Sequence, residues 1–335
     1  METPQAVLLL PGQGAQRERM AAGLYGQDTE FTRHLDLFLA GYGKAGEALR
    51  EQWLRPGPNP ELDLARHAQP LLFAVGHALG RTVARWSNGP RTFLGHSVGE
   101  LAAACLAGVF TPEDAPALMA ARARALRGAE GGGMLAVAAS TAELAPLTGA
   151  DVTVAAVNGP RQTVVAGPGP ALAATADRLR GAGFTVRATR SDVAFHTPAL
   201  GPHADRFTRL IDVGRLRPPT HELISTRTAR TVTPREAVSG EFWAGQLVTP
   251  VRYGEALSAL LDARGTAPGL FLLDASADGG LSAAARRHPA VRSGASEVLP
   301  LLPPLTGGSR DLTVLAAARE RLAGAARAAG PASRP

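Results

Sequence analysis

The 335-residue chain has one cysteine, Cys105, and one lysine, Lys44. A lone cysteine excludes an internal disulfide and leaves a cysteine-based metal site without ligands; it reads instead as a small apolar core residue. With lysine almost absent, the net charge of +6 is carried by arginine. The arginines are scattered, with no basic run and no aromatics among them, and aromatic residues make up only 5% of the chain. That distribution excludes the electrostatic groove of a nucleic-acid binder, though a mildly basic surface can still steer an acidic partner. No stretch approaches the about eighteen uninterrupted apolar residues of a membrane span, and the N-terminal METPQAVLLLPGQGAQ lacks the basic and apolar regions of a signal peptide. A globular, cytoplasmic protein without a membrane or nucleic-acid partner is expected, since 45% apolar content can fill a large core.

Short apolar runs alternate with helical patterns, which points to an α/β protein with a parallel sheet. Leu8–Leu10 stops at Pro11-Gly12 and reads as a first strand; Thr92–Leu94 stops at Gly95 and is followed by a helical GELAAACLAGVF. A further helix is expected with Thr111 as N-cap, Pro112 in its first position and Glu113 and Asp114 complementing its dipole, running to Gly131-Gly132-Gly133. Beyond this break the pattern becomes strand 134–139, helix 141–147, strands 152–157 and 163–166, helix 170–181 and strand 184–188. This βαββαβ order is that of a ferredoxin-like unit. The expected organisation is a discontinuous large domain, 1–130 and 194–310, interrupted by a small domain at 131–193, with a surface helix and tail over 311–335 whose last residues, GPASRP, are expected to be disordered.

Gly95-His96-Ser97-Val98-Gly99 is a G-x-S-x-G motif between an expected strand and an expected helix. Glycines permit the crowded turn that lifts a serine hydroxyl off the backbone, and the next helix aims its free amides at the reaction centre. On the motif alone, Ser97 as a nucleophile competes with Ser97 as a helix cap. A nucleophilic serine needs a base. Of the eight histidines, His196, in the loop VAFHTP that follows the inserted unit, is placed to return to the cleft; His34, His67, His77, His203, His221 and His288 carry no motif, and His96 reads as a support pointing away from Ser97. An oxyanion needs preorganised donors, for which the Val98 amide and the loop Pro11–Gln16 carrying Gln13 are candidates; that loop matches no phosphate-binding pattern. On a helical wheel Ala115, Leu118, Met119 and Leu126 lie within about 60° of Arg122, which puts a guanidinium on an apolar face. It requires a carboxylate there, either from the protein or from a substrate of malonyl type.

PGQGAQ, Ala68-Gln69-Pro70 with Phe73, GHSVGE, MAARARALRGAEGGGML, Asn158-Gly159-Pro160, AFHTP and WAGQLVTPVRY together resemble the malonyl-CoA:acyl carrier protein transacylase family. The similarity runs in order through about residues 5–300, and is greatest to the acyltransferases of bacterial polyketide synthases. It implies an α/β-hydrolase-like large domain carrying the ferredoxin-like insertion, Ser97 as the acylated residue, and His196 as base and acid. It further implies Gln13 and the Val98 amide as the oxyanion hole, Arg122 as the carboxylate clamp, and Gln69, Asn158 and Phe195 as further substrate-binding residues. His196 is then oriented by backbone carbonyls from the 249–252 segment, not by Asp192. The implied reaction is ping-pong, with acyl-CoA as donor, the phosphopantetheine of an acyl carrier protein as acceptor, and no bound cofactor or metal. The competing readings are transfer of another acyl group between two carrier proteins, and hydrolysis of misloaded carriers.

Val98 and Phe195 resemble the malonyl-selective members, in which the phenylalanine crowds a substituent on the α-carbon. Two departures stand out: Val193 replaces the first histidine of the HAFH pattern, and Asp274–Gly280 replaces a VGP-type segment. The chain covers little beyond the family's own span, which reads as a discrete enzyme acting in trans in specialised metabolism.

Overall fold

The computed structural model describes residues 5–304 and 308–328. Its large sheet has six strands: β1 (Gln5–Leu10), β2 (Thr92–Gly95), β7 (Glu222–Ser225), β8 (Arg230–Thr231), β9 (Leu270–Asp274) and β10 (Glu297–Pro300). Their order is β10-β9-β1-β2-β7-β8. All neighbours pair in parallel except β7 and β8. Successive side chains of β1 face opposite ways, as the period of two requires. Leu8 and Leu10 enter one core with Leu71, Phe73 and Leu101, while Val7 and Leu9 enter a second with Leu257, Leu260 and Leu272. Both faces of the sheet are therefore covered, as parallel sheets require.

Four antiparallel strands, β3 (Gly132–Val137), β4 (Thr153–Gly159), β5 (Gln162–Pro168) and β6 (Val186–Ala188), form the second sheet in the order β4-β5-β3-β6. Helices Thr141–Leu144 and Gly169–Gly181 complete the βαββαβ unit expected from the sequence, with its own core of Leu135, Val137, Val165 and Leu179. The chain enters and leaves this unit side by side, through a bridge between Glu130 and Val193. A parallel bridge from Ala156 to Val251 joins it to the large unit next to the loop that holds His196.

Local boundaries differ from the sequence reading for identifiable reasons. Thr111 closes the turn before the helix instead of capping it: its Oγ1 accepts the Asp114 N–H at 3.2 Å, residues 112–114 form a turn, and the helix spans Ala115–Ala125 with Asp114 at its N-cap. Its C-terminal end is closed by His203, whose Nδ1 lies 2.8 Å from the Ala125 carbonyl, so it stops short of the glycine run. The helix expected over 141–147 lasts a single turn behind a Ser140/Glu143 capping box. The surface helix covers Ser309–Ala328, and the GPASRP tail lies outside the described residues. Cys105 is buried, where loss of solvation pushes its thiol pKa up. Among the described residues no helix is long and apolar enough to cross a membrane.

One core residue makes an acid-stability prediction. His77 is buried against Phe73, and burial lowers its pKa to about 3. The unfolded chain binds this proton below about pH 6.5 whereas the folded one does not, so stability is lost as pH falls from that value toward 3. His77→Leu is expected to recover about 2 kcal/mol relative to the parent between pH 7 and pH 5. Urea titrations of both proteins at the two pH values measure the difference, and parallel losses would refute it.

Candidate active site

β1 is the point at which strand order reverses, with β2 on one side and β9 on the other. In open α/β sheets a crevice forms there, beyond the carboxyl ends of the strands. The loop after β1 supplies Pro11–Ala15, the turn after β2 supplies His96 and Ser97, and the segment after β9 supplies Asp278, Gly280 and Leu281 to one cavity of about 410 Å³. The small unit closes it with Met134, Ala136, Asn158 and Arg187, and Phe195 and His196 complete the lining.

Ser97 sits between Gly95 and helix Gly99–Leu106 with φ +53°, the left-handed region that side chains rarely occupy. The turn requires its glycines: a Cβ on Gly95 would collide with the Glu100 amide, and one on Gly99 with the Leu10 carbonyl. The backbone thereby projects the hydroxyl toward His196, whose Nε2 lies 2.8 Å from Ser97 Oγ. His196 is itself left-handed, at φ +63°. Its Nδ1 lies 2.9 Å from the Thr249 carbonyl and its own N–H donates to Leu247 at 2.8 Å. An Nδ1–H facing that carbonyl leaves the Nε2 lone pair for the serine proton. Burial, with His96 and Arg122 nearby, lowers the His196 pKa to about 3 against the opposing Thr249 and Gln246 carbonyls, so the ring is neutral at physiological pH. Asp192 lies elsewhere in the network, its carboxylate capping helix Ala65–Ala84 through the Ala65 N–H at 2.8 Å.

The other residues singled out in the sequence divide between two cavities. Among the described residues the backbone amides of Gln13 and Val98 donate to no acceptor, which leaves both N–H groups available beside Ser97. The Gln13 side chain is engaged: its Nε2 donates to the Asp63 carbonyl at 3.1 Å and its Oε1 accepts from Gln69 at 3.2 Å. Gln69 in turn accepts from Arg122 Nε at 2.7 Å. Arg122 is completely buried, its guanidinium 5.6 Å over the Phe207 ring, and neither Nη has a partner among the described residues. Burial lowers its pKa to about 10, still charged at neutral pH. No protein carboxylate pairs with it among the described residues, which leaves its apolar-face position open to a carboxylate from outside the chain.

Arg122 and Gln69 line a neighbouring cavity of about 490 Å³ with Met119, Leu126 and Val193, and are not part of the Ser97 lining. The Gln69–Gln13 hydrogen bond is the link between the two. Asn158 does line the Ser97 cavity, and its Oδ1 lies 2.9 Å from His96 Nε2. His96 is thus a support residue, as its sequence position suggested, yet its ring lines the cavity beside Tyr253. Arg17, Arg187 and Arg190 also line this cavity; Arg17 lies 3.7 Å from Asp278, another lining residue, and Arg190 lies 3.7 Å from Glu18 and from Asp63.

Residues 7–298 match the family model described as acyl transferase domain. A phenolphthiocerol/phthiocerol polyketide synthase protein of Mycobacterium tuberculosis is 34% identical over 286 residues, which cover 85% of this chain and 19% of that protein. The chain therefore spans about a fifth of that relative's length. The acyl transferase domain of SpnD in complex with 2-(pent-4-yn-1-yl)malonyl superposes with a TM-score of 0.86 at 28% identity, covering 97% of this chain and 77% of that one. The malonyl CoA-acyl carrier protein transacylase of Coxiella burnetii gives 0.76 at 25% identity, covering 96% and 99%. The chain belongs to the acyl transferase domain family and is an acyltransferase of the type found in polyketide synthases and malonyl transacylases.

Proposed function

We propose that this acyltransferase moves a malonyl-type acyl group from coenzyme A to the phosphopantetheine thiol of an acyl carrier protein, in polyketide or other specialised metabolism. The observation that carries the reading is the Ser97–His196 contact of 2.8 Å, with the base held by a carbonyl, near a buried arginine that has no protein counter-ion among the described residues. His196 Nε2 takes the Ser97 proton as Oγ bonds to the thioester carbon. The Gln13 and Val98 amides receive the oxyanion. The carbon–sulfur bond breaks, the coenzyme A thiolate leaves with the proton from His196, and a malonyl-Ser97 ester remains. The carrier thiol repeats the sequence in reverse. Arg122 takes the free carboxylate, and Arg17, Arg187 and Arg190 offer charge to the phosphates of either thiol carrier.

The deciding experiment is intact-protein mass spectrometry after brief incubation with malonyl-, methylmalonyl-, acetyl- and longer acyl-CoA, followed by a phosphopantetheinylated carrier protein. A malonyl adduct that passes to the carrier supports the proposal. No adduct from any coenzyme A thioester would replace it with transfer between carriers, and an adduct lost to water with an editing hydrolase.

Phe195 is buried and lines the Ser97 cavity, and on this reading its ring crowds a substituent on the acyl α-carbon. Phe195→Ser is expected to raise methylmalonyl relative to malonyl loading by about tenfold, within the 1–3 kcal/mol that one methylene commands. Competition between the two thioesters reads this ratio independently of how much variant is folded, and an unchanged ratio would refute the crowding.

A further inference from the structure

Glu100 follows the serine turn on the first turn of helix Gly99–Leu106 and is buried, with 2% of its surface exposed. A glutamate in the first turn of a helix complements the helix dipole, a role that needs no burial. Its carboxyl instead collects donors from two distant segments. Oε1 accepts from the Thr226 N–H, from Thr226 Oγ1 at 2.5 Å and from the Arg227 N–H at 3.2 Å. Oε2 accepts from Gln246 Nε2 at 2.6 Å, and Ser225 Oγ lies 3.3 Å from both oxygens. Gln246 belongs to the turn Gly245–Leu247, which continues into Val248 and Thr249. Leu247 and Thr249 are the residues whose carbonyls hold the His196 backbone and ring. Thr226 Oγ1 also lies 3.2 Å from the Gly95 carbonyl, which places the network against the serine turn itself.

We propose that Glu100 is a positioning residue for acyl transfer: it ties the turn bearing Ser97 to the segment that fixes the orientation and tautomer of His196. The inference rests on the proposed acyl-serine reaction, and Glu100 acts through Gln246 without touching the reacting atoms. Displacing the Thr249 carbonyl frees the imidazole to rotate or to carry its proton on Nε2, where it can no longer accept from Ser97. Such a loss falls on the chemical step and leaves substrate binding in place.

The test uses Gln246→Leu, Glu100→Gln and Glu100→Ala in the full chain. Gln246→Leu cuts the link while Glu100 keeps its bonds to Ser225, Thr226 and Arg227. It is expected to lower kcat for acyl-enzyme formation about tenfold with KM within about twofold. Glu100→Ala is expected to lower kcat further. Glu100→Gln is expected to retain most activity, because Gln246 Oε1 has no partner among the described residues and its amide can turn to accept from the new side chain. Imidazole nitrogen NMR supplies the readout that mere structural weakening does not move: the His196 signals keep the pure Nδ1–H pattern in the parent and Glu100→Gln, and shift toward a tautomer mixture in Gln246→Leu. Unchanged kcat and tautomer in Gln246→Leu, or a fall in melting temperature alone, overturns the proposal. If the parent itself forms no acyl-enzyme, the transfer reading fails, while the nitrogen spectra still decide whether Glu100 sets the His196 tautomer.

Discussion

Ser97→Ala is expected to gain no acyl mass with malonyl-CoA and to lower transfer by about 10⁶, the loss seen when the nucleophile is removed from a serine-based unit. The expectation follows from geometry: Ser97 Oγ is the hydroxyl held 2.8 Å from the free nitrogen of a carbonyl-anchored imidazole. His196→Ala is expected to cost nearly as much, and the double variant no more than either single one, because the pair works as one device. The same geometry fixes the acid limb. A base must be neutral to act, so the rate falls as pH drops through its pKa. An unperturbed histidine at pH 5 would have lost about thirtyfold. With the His196 pKa lowered to about 3 by burial, single-turnover acylation is expected to stay flat from pH 7.5 to pH 5. A persisting adduct in Ser97→Ala would place the acyl group on another residue, and an acid limb near 6.5 would mean that the base titrates like an exposed imidazole.

The elements that carry this chemistry were legible because each is marked by a local chemical demand. β1 and β2 are apolar runs ended by Pro11-Gly12 and Gly95, and the Ser97 turn needs glycines at 95 and 99 for steric reasons that the motif records. The ferredoxin-like unit shows its order through alternating strand and helix composition. What stayed hidden is non-local. β7, β8 and β10 have four, two and four residues, too few for a period to emerge from the sequence. Asn158 reaches His96 across 62 positions and Gln246 reaches Glu100 across 146, so neither pairing leaves a trace in spacing. The Gln13 side chain is another such case: its position in a tight loop suggested a donor beside Ser97, whereas its amide group is occupied by Asp63 and Gln69, leaving only the backbone N–H for that task. The apolar-face position of Arg122 was visible on a helical wheel, but its freedom from protein acids among the described residues was not.

Arg122→Ala is expected to lower kcat/KM for malonyl-CoA by about 10² to 10³ while leaving acetyl-CoA loading unchanged or faster. Two charge-assisted hydrogen bonds at about 1.5–3 kcal/mol each cover that loss. A fully buried guanidinium with both Nη groups unpaired among the described residues is expensive for the free protein, and a substrate carboxylate offsets that cost on binding. Acetyl, with no carboxylate, gains nothing from it. Lysine in the same place is expected not to restore malonyl loading, because an ammonium lacks the planar fork and the Nε that Gln69 holds. Arg122 lines the adjoining cavity and not the one around the serine, and the Gln69–Gln13 bond stands between the two, so a malonyl group on Ser97 reaches the guanidinium only if that bond gives way. Gln69→Leu releases both ends of that bridge and is expected to reduce malonyl preference in the same direction by about tenfold, the worth of one such hydrogen bond. Paired loading rates for malonyl- and acetyl-CoA decide the matter. Equal losses for the two thioesters in Arg122→Ala would assign the arginine to the scaffold, and malonyl selectivity would then have to come from the wall formed by Phe195 and Asn158.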